Sequence, residues 1–218
     1  MHTLKADSLK SKIGREKAIF KIVEALRSDE IVIAPIDQGY AYIADPNSEL
    51  AMTIIKELKG MSASHFFALL INNVEQIKDY CGSISSEQRL LAKEFWPGPL
   101  MLECDVLPGL RGSFGSDGTP ESLFFKQAAN ETLKGVCEMS GPVVFSPIVD
   151  KAKNSITELR KVSSEAKKIV KYAIESKSRW SKKVTTVVSF HHSSVEITRR
   201  GDISEQQVRK IVPKVIAS

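Results

Sequence analysis

The sequence predicts a single α/β domain, because short apolar runs typical of buried strands alternate with amphipathic segments of helical period. Polar residues follow the ends of several strand-like runs, where open α/β sheets usually bind their ligands. A chain of 218 residues fits one such domain and can bury a substantial core. We expect one domain over 1–218, with its core at about 15–205.

The composition is ordinary for a globular protein, with 42% apolar and 26% charged residues. The cysteines Cys81, Cys104 and Cys137 are widely spaced and form no C-x-x-C pair, so we expect neither a zinc site nor a disulfide framework. The histidines also lack metal-ligand spacing. The sequence shows no membrane-spanning apolar run and no secretory leader pattern at its start. We therefore expect a cytoplasmic protein without a bound metal or a membrane partner.

The net charge is +5 and the isoelectric point is about 9.0. This excess is compatible with anionic ligands such as nucleotides or RNA, although many basic proteins bind neither. The segment 151–183 has eleven basic and three acidic residues, a difference of +8 that exceeds the net charge of the whole chain. An apolar stripe predicts helices in this segment, whose lysines either contact RNA or face solvent.

The first part of the chain predicts a helix at about 14–28 followed by two strands, at 31–34 and 40–44. Pro35 is expected to end the pairing of the first strand, because proline has no backbone N–H. In the polar corner that follows, Gly39 permits backbone angles closed to other residues. Asp37 is either a turn cap or a ligand group at the end of a buried strand.

The remaining elements follow the same alternation. Ser48 is expected to cap a helix at 48–58 that exits through Gly60. Further helices are predicted at 85–95, 121–133 and 204–212, the last capped by Ser204. Further strands are predicted at 66–71, 100–106, 142–145, 184–190 and 195–198, with a glycine-rich loop at 107–120 and a solvated hairpin turn at 191–194.

The sequence contains no P-loop and no G-x-G-x-x-G motif, and its glycine-rich loop fits neither spacing. The informative feature is instead a set of polar residues at predicted strand and helix ends. These residues are Asp37, Gln38, Lys59, His65, Ser146 and Arg199. Each alone has an ordinary explanation, such as the favourable position of Lys59 at a helix C-terminus.

Several segments in series resemble the YrdC-like family of threonylcarbamoyl-AMP synthases. The series reads IVIAPIDQGYAY, IIKELKG, FWPGPLML, VVFSP, TTVVSF and ITRRGDIS, and WPGPL at 96–100 is its most specific part. Family members typically read P-T-D-T-x-Y-G, K-x-R-P, W-P-G-P-L-T, S-A-N, S-T-V-V and R-x-G. The resemblance implies a twisted, open, mixed sheet flanked by helices, with a concave basic face.

Members of that family convert ATP, bicarbonate and L-threonine into threonylcarbamoyl-AMP and pyrophosphate, for the tRNA modification t6A. By resemblance, ATP is a substrate that can carry Mg²⁺, and neither a permanent cofactor nor a nucleophilic side chain is implied. The residues implied to bind the nucleotide are Lys59, His65, Ser146 and Arg199. Those implied to bind the amino-acid or carbonyl side are Asp37, Gln38, Tyr40 and Thr186.

The chain also departs from the family pattern. Ile36 and Gln38 stand at two hydroxyl positions, Met61 at an arginine, His65 at a lysine, and Ser146-Pro147-Ile148 keeps only the serine of S-A-N. These motifs are closest to the YciO-like branch, usually described as an RNA-binding or translation factor. Two functions therefore stay open: a weak or altered nucleotide-binding synthase, and an inactive relative that binds double-stranded or transfer RNA. The oligomeric state is also open.

Overall fold

A computed structural model of the chain describes residues 1–62, 67–110, 114, 120–177, 179–191 and 194–217. Within them, one mixed sheet is formed by β1 His2–Leu4, β2 Val32–Ile36, β3 Gly39–Ala44, β4 Ala68–Ile71, β5 Leu100–Asp105, β6 Ser122–Gln127, β7 Val143–Pro147, β8 Tyr172–Ile174, β9 Thr186–His191, β10 Ser194–Arg199 and β11 Ile216–Ala217. The helices are α1 Lys12–Arg27, α2 Glu49–Lys59, α3 Lys78–Cys81, α4 Ser86–Phe95, α5 Glu131–Ser140, α6 Ser164–Ile169 and α7 Glu205–Arg209. None of these helices combines the length and apolar character needed to cross a bilayer.

The strand order across the sheet is β1-β8-β2-β3-β7-β4-β6-β5-β9-β10-β11. The pairs β2–β8, β4–β6 and β5–β9 are parallel, while β2–β3, β3–β7 and β5–β6 are antiparallel. The sheet thus joins strands that are distant in the chain, and the prediction of an α/β domain with an open mixed sheet is confirmed.

Pro35 lies inside β2 rather than ending it, opposite Tyr40 of β3. Both backbone groups of Tyr40 bond away from β2, because its N–H donates to the Ile156 carbonyl at 2.7 Å and its carbonyl accepts from the Ile148 N–H at 2.8 Å. Pro35 therefore belongs to a pair without ladder hydrogen bonds, where a missing N–H loses nothing. The prediction that pairing stops at Pro35 is wrong for this reason.

Gly39 begins β3 directly after a two-residue turn at 37–38. Its φ lies outside the left-handed region, so the backbone angles that glycine alone permits are not used here. The glycine is needed for space instead, since a Cβ there would lie 2.6 Å from the Ile156 carbonyl oxygen. This close approach holds the hairpin turn against the chain that follows β7.

The predicted helix ends at Ser48, Gly60 and Ser204 are confirmed. Ser48 Oγ accepts from the Ala51 N–H at 3.1 Å, and Gly60 takes left-handed angles at the end of α2. Ser204 forms a capping box with Gln207 at the start of α7.

Two segments predicted as helices contain strands. Residues 122–127 form β6, in which Leu123 and Phe125 are fully buried on one face, and α5 begins only at Glu131. In the described part of 151–183, α6 is the only α-helix, and β8 pairs with β1 and β2. The apolar residues of this segment therefore serve the sheet as well as a helix, which the helical stripe could not show.

Each face of the sheet carries its own helices. Leu26 of α1 and Val136 of α5 pack with side chains of β2, β3, β4 and β7 on one face. Met52 of α2, Leu91 of α4 and Val208 of α7 lie in the core of the other face. On the face of α1 and α5, side chains of β5, β6 and β9 line an open cleft instead.

Candidate functional site

A cleft of about 370 Å³ opens on the sheet face that α1 and α5 cover in part. Its volume lies within the range of roughly 300–1,000 Å³ typical of small-molecule sites. The polar residues in its wall are Asp37, Gln38, Lys59, Lys126, Ser146, Thr185 and Arg199. They come from the β2–β3 turn, the end of α2, three strands and the residue before β9, so the fold gathers groups that are distant in sequence.

Lys59 lies at the C-terminal end of α2, on one side of the cleft. Its Nζ donates to Ser146 Oγ at 2.6 Å and to the Pro147 carbonyl at 2.5 Å. Burial, with a smaller contribution from the charge of Lys153, lowers the pKa of Lys59 to about 8. The ammonium is thus mostly charged at pH 7, and a bound anion would stabilise it.

Lys126 is a cleft residue that the sequence reasoning missed. Its side chain is only 4% exposed, and its Nζ lies 2.8 Å from Asp37 Oδ2. Burial lowers the pKa of Lys126, the Asp37 carboxylate opposes that shift, and the charge of Arg199 adds to it. The signal that could have found it is the period of two in β6, which places Phe124 and Lys126 on the face opposite the buried Phe125.

The WPGPL segment at 96–100 provides a hydrogen-bond acceptor for Lys126. Lys126 Nζ donates to the Gly98 carbonyl at 2.6 Å. Trp96 Nε1 donates to the Leu100 carbonyl at 2.9 Å, and this hydrogen bond links the two ends of the turn. The most specific motif of the sequence thus has a local structural role beside the cleft.

Arg199 lies at the end of β10, on the opposite side of the cleft from Lys59 along the strand order. Its Nε donates to the Thr185 carbonyl at 2.9 Å. Partial burial lowers the pKa of this guanidinium, which stays charged at neutral pH. The bond through Nε leaves the remaining donors of the fork for other partners.

Charge in the cleft is unbalanced. Lys59, Lys126 and Arg199 line it, and Asp37 is the carboxylate among its described lining residues. The rest of the wall is largely apolar, with Met101, Phe124, Phe145 and Val187 among its members. Cations fixed in a poorly solvated wall attract a polyanion strongly, so the geometry suits a phosphate-bearing ligand with an apolar part.

The structure brings five of the eight sequence-predicted residues to this cleft. Asp37, Gln38, Lys59, Ser146 and Arg199 line it, while His65 lies outside the described residues. Gln38 Nε2 donates to the Lys183 carbonyl, so it also anchors the turn to the chain before β9.

Tyr40 and Thr186 are placed elsewhere. The Tyr40 ring stands edge-on to Trp180 at 5.0 Å between centroids, and its hydroxyl accepts from the Ser176 N–H at 3.1 Å. Thr186 is fully buried, and its hydroxyl bonds the backbone of Ile203 in both directions at 3.0 Å. Thr185 lines the cleft in its place, because successive residues of a strand point to opposite faces.

A second polar cluster lies further along the same face of β5, β6 and β9. His191 Nδ1 lies 2.5 Å from Asp105 Oδ1, and Ser122 Oγ donates to Glu103 Oε1 at 2.7 Å. The hydrogen bond with Asp105 raises the pKa of His191, burial opposes the shift, and Glu103 adds to it. His191 is the last residue of β9, so its predicted place in a solvated hairpin turn is wrong.

Within the described residues no group of His, Cys, Asp and Glu side chains is arranged to hold a metal ion.

The basic segment 151–183 is partly neutralised by acidic side chains. In the described residues, five of its eleven cations pair with carboxylates: Arg160, Lys161, Lys171, Lys177 and Lys183. Lys153, in a loop held by Asp150, is exposed and close enough to affect the charge of Lys59.

Comparison with known proteins identifies one family. Its sequence profile, Sua5_yciO_yrdC, described as telomere recombination, matches residues 24–201. A curated threonylcarbamoyl-AMP synthase of Enterobacter sp. (strain 638) is 27% identical over 135 residues, covering 59% of this chain and 68% of the relative.

Solved structures share the fold. Sua5 of P. abyssi, crystallised in complex with L-threonine, has a TM-score of 0.78 at 21% identity, covering 94% of this chain and 59% of that chain. YciO of E. coli has a TM-score of 0.73 at 18% identity, covering 87% of this chain and 92% of that chain. The chain thus spans nearly all of YciO and under two thirds of the P. abyssi protein. Because the family profile covers most of its length, the chain belongs to the Sua5/YciO/YrdC family.

Proposed function

We propose that the chain binds ATP in the cleft and carries out a threonylcarbamoyl-AMP synthase-like reaction, at a lower rate than relatives with the full motif set. In this reaction a carboxylate oxygen of N-carboxylated L-threonine attacks the α-phosphorus of ATP, and the bond to pyrophosphate breaks. The observation that carries the proposal is the convergence of Lys59, Lys126 and Arg199 on one cleft. The family membership and the curated synthases among the relatives support it.

The side chains of the cleft would supply charge and position rather than a nucleophile. Negative charge grows on the phosphate oxygens as the bond to pyrophosphate breaks, and fixed cations stabilise it without reorganising. Ser146 holds the Lys59 ammonium in place, and Asp37 holds that of Lys126. A Mg²⁺ ion would enter with the nucleotide phosphates, where such ions usually bind.

The departures from the family motifs support a reduced rate. Ile36 and Met61 line the cleft with apolar groups where the family pattern has a hydroxyl and a guanidinium. A hydrogen bond to a charged group contributes about 1.5–3 kcal/mol, so each loss weakens binding by roughly tenfold to a hundredfold. Lys126 is a buried cation in the same wall, so the cleft would keep part of the positive charge that a phosphate ligand needs.

Exchange of labelled pyrophosphate into ATP, dependent on L-threonine and bicarbonate, tests the proposal. We expect slow exchange, together with threonylcarbamoyl-AMP in the mass spectrum. Lys126→Met should reduce the exchange rate at least about tenfold, whereas the exposed charge-matched control Lys168→Met should not change it. Neither exchange nor ATP binding by calorimetry, beside an active synthase of the family, would contradict the proposal.

Double-stranded or transfer RNA is the second candidate ligand. The exposed Lys153 beside Lys59 favours it, since this residue extends the positive charge of the cleft onto the surface. RNA bound through Z phosphate contacts should weaken with salt at a log–log slope of about −0.7Z to −0.9Z. No binding at about 50 mM salt would exclude this ligand.

A further inference from the structure

Two of the three cysteines lie together, on the face of the sheet opposite the cleft. Cys81 ends α3 and is partly exposed, while Cys104 in β5 is buried. Cys81 Sγ lies 3.9 Å from the Cys104 carbonyl oxygen, and the Cys81 side chain is close enough to raise the pKa of Cys104. Neither thiol has a part in the proposed reaction.

A pocket beside the pair makes it accessible to small reagents. A small pocket of about 210 Å³ is lined by both cysteines together with Ser85 and Gln88. Gln88 Nε2 donates to Cys104 Sγ at 3.0 Å, while its Oε1 accepts from the Ser85 N–H in the capping box of α4. The Gln88 bond lowers the pKa of Cys104, but contact with Cys81 and burial outweigh it, so the net shift of this pKa is upward.

A backbone hydrogen bond connects the segments that carry the two cysteines. The Leu107 N–H donates to the Tyr80 carbonyl at 2.8 Å, linking the chain after β5 to α3 one residue before Cys81. The side chain of Leu107 also packs over Gly82. These contacts hold the end of α3 beside the end of β5, so the two segments that carry the thiols are neighbours, as a disulfide requires.

We propose that Cys81 and Cys104 form a reversible disulfide, which makes the α3–β5 junction a redox modification site. With oxidised glutathione as the oxidant, the Cys81 thiolate attacks its S–S bond, forming a mixed disulfide and releasing one glutathione. The Cys104 thiolate then attacks the Cys81 sulfur, forming the protein disulfide and releasing the second glutathione. The protein loses two thiol protons and two electrons, and one oxidised glutathione becomes two reduced ones.

The order of the two steps follows from exposure. Cys81 is accessible to a reagent and Cys104 is not, so Cys81 reacts first and Cys104 resolves the adduct. Contact with the Cys81 thiol is the largest cause of the raised pKa of Cys104, and burial adds to it. Once Cys81 carries glutathione it has no ionisable thiol, so the contribution of Cys81 to this raised pKa is removed, which eases the second step.

Peptide mapping of the full chain tests the site directly. Trypsin places the three cysteines in separate peptides, 79–89, 94–111 and 135–151. After incubation with oxidised glutathione, we expect peptides 79–89 and 94–111 to be disulfide-linked, with Cys137 recovered as a free thiol. Cys137→Ala should give the same bridge. Stable glutathione adducts on Cys81 with Cys104 left free, or Cys81 bridges between chains, would overturn the proposal.

A stability measurement checks the bridge without relying on a variant in the core. Closing the loop between residues 81 and 104 restricts the unfolded chain, so oxidised wild-type protein should melt roughly 5 °C above the reduced protein. The oxidant should leave the melting temperature of Cys81→Ser unchanged. An equal shift in Cys81→Ser would show that the bridge is not its cause.

Discussion

At the scale of single residues, Lys126 is central to the positive charge of the cleft. It is a nearly buried cation held by Asp37 and by the Gly98 carbonyl. A buried ion pair of this kind is costly to break on one side, because the remaining charge keeps its desolvation penalty. Its position facing the cleft fits the ligand role proposed for it, beside this structural one.

Replacing Lys126 by methionine should weaken ATP binding at least about tenfold, because one cation of the phosphate site is lost. The free energy of unfolding should also fall by about 1–3 kcal/mol, since Asp37 loses its cation. Calorimetry and urea unfolding measure the two effects. In the double variant with Asp37→Asn, stability should partly return while binding stays weak; recovery of binding would contradict the role of Lys126.

Lys59 should make nucleotide binding depend on pH. Its pKa of about 8 means that the ammonium loses its proton above that pH, and a neutral amine does not attract phosphate. If the cleft binds ATP through the charged form, affinity should fall about tenfold between pH 7 and pH 9. In Lys59→Arg the guanidinium stays charged, so the same titration should be nearly flat. A steep titration in this variant would assign the pH dependence to another group.

The sequence could predict the site residues that stand at strand ends. It could not predict which face of the sheet a residue within a strand points to. Asp37 and Ser146 were found because they stand at strand ends. Tyr40 and Thr186 have the residue types that the resemblance implies, yet one position in a strand turns them to the opposite face. Lys126 was hidden because its strand was taken for a helix.

At the scale of elements, the turn at 96–99 connects the most specific motif to the cleft. A Cβ on Gly98 would lie 2.4 Å from the Phe95 carbonyl oxygen, so the turn requires glycine there. Its carbonyl then reaches Lys126 in β6. The motif thus supports the cleft cation from a neighbouring element.

Gly98→Ala should shift this turn and weaken ATP binding, because Lys126 loses the carbonyl that holds it. We expect the effect to be a few-fold in the wild-type background and absent in Lys126→Met, a pattern that a double-mutant cycle measures. Equal effects in both backgrounds would show that Gly98 acts independently of Lys126.

The pairing of β5 with β9 should respond to pH through His191. Its hydrogen bond with Asp105 raises the pKa of the folded imidazole above the ordinary value near 6.5, so protonation favours the folded state. The stabilisation is complete below about pH 6.5 and is lost as the pH rises through the raised value. Thermal melting from pH 5.5 to pH 8 should show this fall in the wild type and lose part of it in His191→Gln. His2→Gln, at the exposed β1 edge, is the matched control and should behave as the wild type.

At the scale of the whole molecule, the alternation of apolar runs predicted the α/β class, and the ordered motifs predicted the family. The segments 122–127 and 151–183 were misassigned because their apolar residues fit both a helical stripe and a buried strand. Pairing partners that are distant in sequence decide between these structures, as when β6 pairs with β4 and β5. A local pattern carries no information about such partners.

The cations of the cleft come from positions 59, 126 and 199, so the proposed nucleotide site exists only when the sheet is assembled. A nucleotide that binds there is therefore linked to folding, and it acts as a thermodynamic clamp on the entire domain. At one hundred times its dissociation constant, ATP should add about 2.7 kcal/mol to stability and raise the melting temperature by roughly 5–10 °C. At the same ATP concentration, Lys126→Met should lose most of this shift. Thermal melting thus reads out occupation of the cleft even where turnover is too slow to follow.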